Sequence, residues 1–160
     1  MTVAFFSGRA RRAGVALGAV SAGLLVLSAC EKPTPLATVT VGSNSVHTEA
    51  SCYDSDGLKE SKVQECLNQK GGKTVEVSMD DRVHFGVDPE VAEHGWTLFL
   101  DGQRAEQEPY TKTYRTIGAS AFFAGQMGAA APESVRVSIL ETDSKSKKAI
   151  GVYHFQLKKV

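Results

Sequence analysis

The chain has 160 residues, enough for one domain and a targeting segment. Hydrophobic residues make up 42% and charged residues 22%, ordinary values for a globular protein. Residues 1–29 hold Arg9, Arg11 and Arg12, three of 18 basic residues, so residues 30–160 carry 15 against 18 acidic ones, a net of −3. That balance argues against a nucleic-acid binder, which needs a basic face, and against a cationic surface for acidic polymers.

The first twelve residues, "MTVAFFSGRARR", carry three arginines and no acid, and residues 13–27, "AGVALGAVSAGLLVL", carry no charge. Fifteen such residues are short of the about 20 that a membrane span needs. A basic start, a short apolar run and small residues before a cut make an export signal. Its end, Leu27-Ser28-Ala29-Cys30, resembles the lipobox of bacterial lipoproteins: an aliphatic residue, two small residues, then cysteine. The resemblance implies cleavage before Cys30 and a diacylglycerol on its thiol. It places the protein on the extracytoplasmic face of the cell membrane, held there by its lipid anchor. Arg11-Arg12 leaves twin-arginine export open beside the general secretory route. Residues 1–29 are thus read as signal peptide, 30–36 as acylated cysteine and tether, and 37–160 as the folded domain. Pro33 and Pro35 stiffen the tether.

Beyond the tether the pattern is mostly period two, the mark of half-buried strands. In chain order the expected strands are 37–41, 45–50, 73–79, 82–87, 96–100, 111–117, 119–123, 134–140 and 149–157. Strand 73–79 is expected to bury Val75, Val77 and Met79, and strand 82–87 to bury Val83, Phe85 and Val87 with His84 outward. Trp96 reads as core. Asp101-Gly102 directly after "WTLFL" is a two-residue hairpin signal, and Gly151 inside the last strand suggests a bulge.

One helix is expected, over 58–70, bringing Val63, Cys66 and Leu67 to one side. Asp56 or Ser55 would cap its start, and Gly71-Gly72 would end it. With Cys30 acylated, Cys52 and Cys66 remain, thirteen residues apart, and an even remainder in an exported chain implies a disulfide. The helix then lies inside the disulfide loop, pinned at the sandwich edge. These elements specify an all-β fold, an immunoglobulin-like or cupredoxin-like antiparallel β-sandwich with one short helix in a disulfide-closed loop.

A lipobox followed by a small all-β domain that includes "VDPEVAEHGWTLFLDGQ" (87–103) and "TYRTIGAS" (113–120) resembles actinobacterial-type exported lipoproteins of unknown function. The resemblance covers most of 37–157 and implies no catalytic residue.

Candidate chemistry is sparse. A blue-copper site needs two histidines, a cysteine thiolate and a weak axial ligand such as methionine, yet no cysteine follows Cys66. A looser copper site from His84, His154, Met79 and Met127 stays open, against histidines on solvated strand faces. The loop 86–96 gathers Asp88, Glu90, Glu93 and His94, oxygen ligands of the kind calcium takes, but without an EF-hand spacing. No G-x-S-x-G elbow occurs, Ser120 lacks a placed base, and the paired carboxylates Asp80-Asp81 are adjacent and point apart. Phe122, Phe123 and Met127 make a candidate apolar contact surface, against a reading in which one phenylalanine is core. The reading is a non-enzymatic binding or structural module of the cell envelope, without cofactor, its partner an exported protein, a wall polymer or a small ligand. Metal delivery through His and Met is the alternative, and a cell-envelope hydrolase the third reading.

Overall fold

The computed structural model describes residues 34–124 and 131–160. Cys30 and Met127 lie outside them, and the lipid anchor and the Met127 part of the expected contact surface with them. Residues Thr34–Val160 form one unit. Among the described residues no helix is long and apolar enough to cross a membrane.

Two sheets build the fold. The smaller holds β1 (Leu36–Val41), β2 (Asn44–Glu49), β5 (Arg82–Val87) and β8 (Tyr114–Gly118) in the order β2-β1-β5-β8. The larger runs β3 (Cys52–Tyr53), β10 (Ala149–Lys159), β9 (Ser134–Thr142), β6 (Trp96–Leu100) and β7 (Gln103–Arg104), with β4 (Lys73–Val77) also on β10. Alternation sends every second side chain inward. Ala37, Val39 and Val41 of β1 and Val83, Phe85 and Val87 of β5 come from one sheet. Trp96 and Leu98, Val135, Val137 and Ile139, and Tyr153, Phe155 and Leu157 come from the other, and all join one core. This is the β-sandwich that the strand pattern specifies.

Several local expectations hold. Asp101 (φ 48) and Gly102 (φ 83) make the two-residue turn that pairs Leu100 with Gln103. The ladder between β9 and β10 shifts register between Ala149 and Gly151, the expected bulge. Cys52 and Cys66 are bonded, with Cα atoms 6.2 Å apart.

Others are corrected. β4 runs parallel to β10, with Val75 opposite Leu157. That is the one parallel pair among the described strands. It arises because β3 and β4 take successive stretches of the same β10 edge from opposite directions. β4 ends at Val77, and Met79, beyond it, is exposed. Residues Ala119–Ala121 form a 3-10 turn, and both Phe122 and Phe123 are buried in the core, Phe122 against Phe85. The bulky pair closes the sandwich and offers no contact surface.

The helix α1 (Glu60–Asn68) is shorter than expected. Lys59 takes the N-cap position without a side-chain cap bond, while Asp54 Oδ1 accepts from Asp56 N in a turn upstream. Cys66 and Leu67 are buried and Val63 partly so, as spacings of three and four place them on one side. The helix does not sit at the sandwich edge. Cys66 and Leu67 cluster with Phe99, Leu140 and Val152, which alternate with core residues Leu98, Ile139 and Tyr153 on their strands. The cluster therefore lies on the outer face of the larger sheet. The chain leaves the β10 edge at β3, crosses that face as α1, and returns to the edge at β4.

A second short helix, α2 (Pro89–His94), occupies the expected loop 86–96. It starts at Pro89, suited to a first turn, and stops at Gly95 (φ 104).

Candidate functional site

The crossing of α1 over the larger sheet leaves a groove of about 590 Å³ beside it. Leu58, Val63 and Leu67 line one side, and Phe99, Leu140 and Ala149 form the floor. An outward sheet face normally carries polar residues in alternation. Here Phe99 and Leu140 interrupt that rule, and α1 packs over them through Cys66 and Leu67, leaving them buried at the base of the groove. The rim holds Arg104, Lys147 and Lys148 against one acid, Glu60. Arg104 lies over the Phe99 ring, its guanidinium carbon 5.8 Å from the centroid, and donates to Gln107 O at 2.9 Å. Lys148 Nζ donates to Asp56 O at 3.3 Å. Thr142 also lines the groove, and its hydroxyl is buried without a hydrogen-bond partner.

A second polar site lies under the bulge. Glu141 is fully buried on the inward face of β9. His94 Nδ1 meets its Oε1 at 2.6 Å, and the Tyr153 hydroxyl donates to its Oε2 at 3.0 Å. Burial, and then the Glu141 charge, push the Tyr153 phenol well above its ordinary range, so it stays a donor. The partly exposed His94 ring lines a pocket of about 210 Å³ with Asp143, Ser146 and Lys148. Hydrogen bonds from Ser146 hold the Asp143 carboxyl below its ordinary range. A nucleophilic triad needs a seryl oxygen within about 2.6–3.2 Å of the free ring nitrogen. Among the described residues the ring's hydrogen-bond partner is Glu141 alone. His94 and Tyr153 thus partner the two oxygens of the buried Glu141 carboxylate.

The copper candidates among the described residues, His84, His154 and Met79, do not converge. His84 belongs to the smaller sheet, where its Nδ1 meets the hydroxyls of Tyr114 and Thr116 and its ring stacks on Tyr114. His154 belongs to the larger sheet and is buried, correcting its expected solvated face. Its Nε2 donates to Cys66 O at 2.9 Å, which leaves Nδ1 to accept from Ser138 Oγ at 2.8 Å. Burial lowers its pKa, so the ring is neutral and ties α1 to the sheet. Met79 is exposed beyond β4. Among the described residues no group of three His, Cys, Asp or Glu is placed to hold a metal ion. In the 86–96 segment, Asp88 Oδ2 accepts from Leu36 N at 2.8 Å and His94 turns to Glu141, and the stretch weighed as an oxygen-ligand loop is in large part a helix, Pro89–His94.

Glu141 and the groove carry no motif. The signal for Glu141 is its parity: Val135, Val137 and Ile139 face inward, and Glu141 is next in that series. The signal for the groove is the double apolar facing of "WTLFL" and "SIL".

No family model matches the chain, and no curated protein matches it. Among solved structures, fibronectin(III)-like modules of Clostridium thermocellum CbhA match 57% of this chain and 94% of theirs, at 8% identity and a TM-score of 0.37.

Proposed function

We propose that this chain is a membrane-anchored extracytoplasmic lipoprotein whose β-sandwich is a non-catalytic binding module of the cell envelope. The groove beside α1 carries the reading. It is an apolar concavity with a charged rim, of the size that binding clefts have, about 300–1,000 Å³. Its walls are held by the Cys52–Cys66 bond and the His154 bridge to Cys66 O, so it exists before any ligand arrives. The export signal and Leu27-Ser28-Ala29-Cys30 support the location. Two fatty chains on Cys30 would hold the module at the bilayer surface, each buried methylene adding about 0.8 kcal/mol.

The test has two arms. Cells given labelled palmitate should incorporate it into the wild-type chain, and a Cys30→Ala form should leave the membrane fraction. Cross-linking in intact cells, followed by mass spectrometry, should capture an envelope component on groove residues. A chain that takes up no palmitate sinks the anchor, and cross-links confined to the opposite sheet sink the binding surface.

A further inference from the structure

We infer that the groove beside α1 binds an anionic amphiphile, a single carboxylate or phosphate carrying an alkyl body. This deepens the binding-module reading and rests on it.

The floor is a sheet face. Phe99 and Leu140 lie on β6 and β9, each with a strand on either side, so the floor offers no free main-chain row to an extended peptide. Recognition falls to side chains, and Leu58, Val63, Leu67, Phe99 and Leu140 give it an apolar stretch beside the polar Gln64 and Thr142. An alkyl chain laid along the groove beside α1 would cover Leu58, Val63 and Ala149, which are only partly buried, above the base of Phe99 and Leu140.

The head group is set by charge. Arg104, Lys147 and Lys148 face one acid, Glu60. Arginine and lysine remain protonated at neutral pH. Among the described residues Lys147 makes no ion pair, and the Arg104 and Lys148 cations meet only carbonyl oxygens and an aromatic face. The rim therefore carries uncompensated positive charge above an apolar floor. The Thr142 hydroxyl, buried on the groove wall with no partner, is a donor that a ligand oxygen would satisfy.

The test uses the whole exported chain carrying Cys30→Ser, free of detergent. Dodecanoate and dodecanol, each below its self-association range, are titrated calorimetrically. Dodecanoate should bind saturably, one per chain, about tenfold or more tighter than dodecanol, and more weakly as salt rises. Arg104→Gln and Lys147→Asn together should lower dodecanoate affinity about tenfold and leave dodecanol unchanged. Asparagine suits position 147, where φ is 61. Gln64→Trp, which fills the groove from the exposed side of α1, should weaken both probes. Equal affinity for the two probes overturns the anionic head, as does neutralisation without effect. Absence of saturable binding overturns the ligand class. So does an acidic peptide that binds without competition from dodecanoate. An envelope component cross-linked to groove residues in cells would still leave the binding module standing in any of these cases.

Discussion

The Tyr153 hydroxyl donates to Glu141 Oε2 at 3.0 Å, and both side chains are fully buried across the β9–β10 ladder. A carboxylate in that position costs several kcal/mol unless it is partnered. Tyr153 supplies one donor and His94 the other. Glu141→Ala leaves both donors unsatisfied in the interior and is expected to lower unfolding free energy by about 3 kcal/mol. Tyr153→Phe, which removes one donor, should cost about 1–2 kcal/mol. Urea unfolding of each variant measures this, and an alanine variant as stable as wild type would show that the cluster supports nothing.

Gly151 makes room for the same carboxylate. A Cβ there would stand 2.9 Å from Glu141 Oε2 and 3.3 Å from the Tyr153 hydroxyl. Gly151→Ala is expected to cost about 1–3 kcal/mol through overpacking. The cost should largely vanish in a Glu141→Ala background, where the obstructing oxygen is gone. A double-mutant cycle gives the number, and additive costs would place the strain elsewhere.

The disulfide closes a loop with a sequence separation of 14. Replacing Cys52 and Cys66 by alanine should cost about 3 kcal/mol on the chain-entropy account. α1 would loosen first, since Cys66 sits at its buried side. Amide exchange should show α1 losing protection while β9 and β10 keep theirs. Uniform loss over the whole domain would mean that the helix is not a separate unit.

His154 predicts a pH dependence. Burial lowers its pKa from the ordinary 6.5 in the folded state, so the unfolded chain binds the proton first. Stability from the neutral ring is fully present above pH about 6.5 and declines as pH falls below it toward the depressed folded value. Protonation would also set a charged Nδ1–H against a nitrogen that now accepts from Ser138. Unfolding free energies at pH 7.5 and pH 5 should differ more in wild type than in His154→Gln. Equal slopes would assign the pH dependence to other groups.

Much of the sandwich is legible from parity alone. Val75 and Val77, Val83, Phe85 and Val87, and Val135, Val137 and Ile139 alternate as a strand with one buried face must, and they are core. The turn at Asp101-Gly102 and the bulge at Gly151 are legible because each rests on local backbone chemistry. Parity fails where the second face is also buried. Phe99 and Leu140 look outward, but α1 lies over that face, so alternation says nothing of their surroundings. His154 escapes parity for the same reason. Its neighbours along the strand say which face it takes, and only the helix 88 residues away in sequence decides that the face is dry. The Phe122–Phe123 pair escapes it because alternation cannot be followed through a 3-10 turn.

What the amino-acid order determined by itself is short-range: strand faces, tight turns, and the pairing of Cys52 with Cys66. These depend on residues within a few positions of one another, where alternation, backbone preference and chain length act directly. Only the tertiary structure decided that β4 joins β10 in parallel, that α1 roofs a sheet face, that Glu141 finds two donors, and that three cations gather over an apolar floor. Those outcomes depend on which distant segments share space, and burial, not local pattern, selects among them.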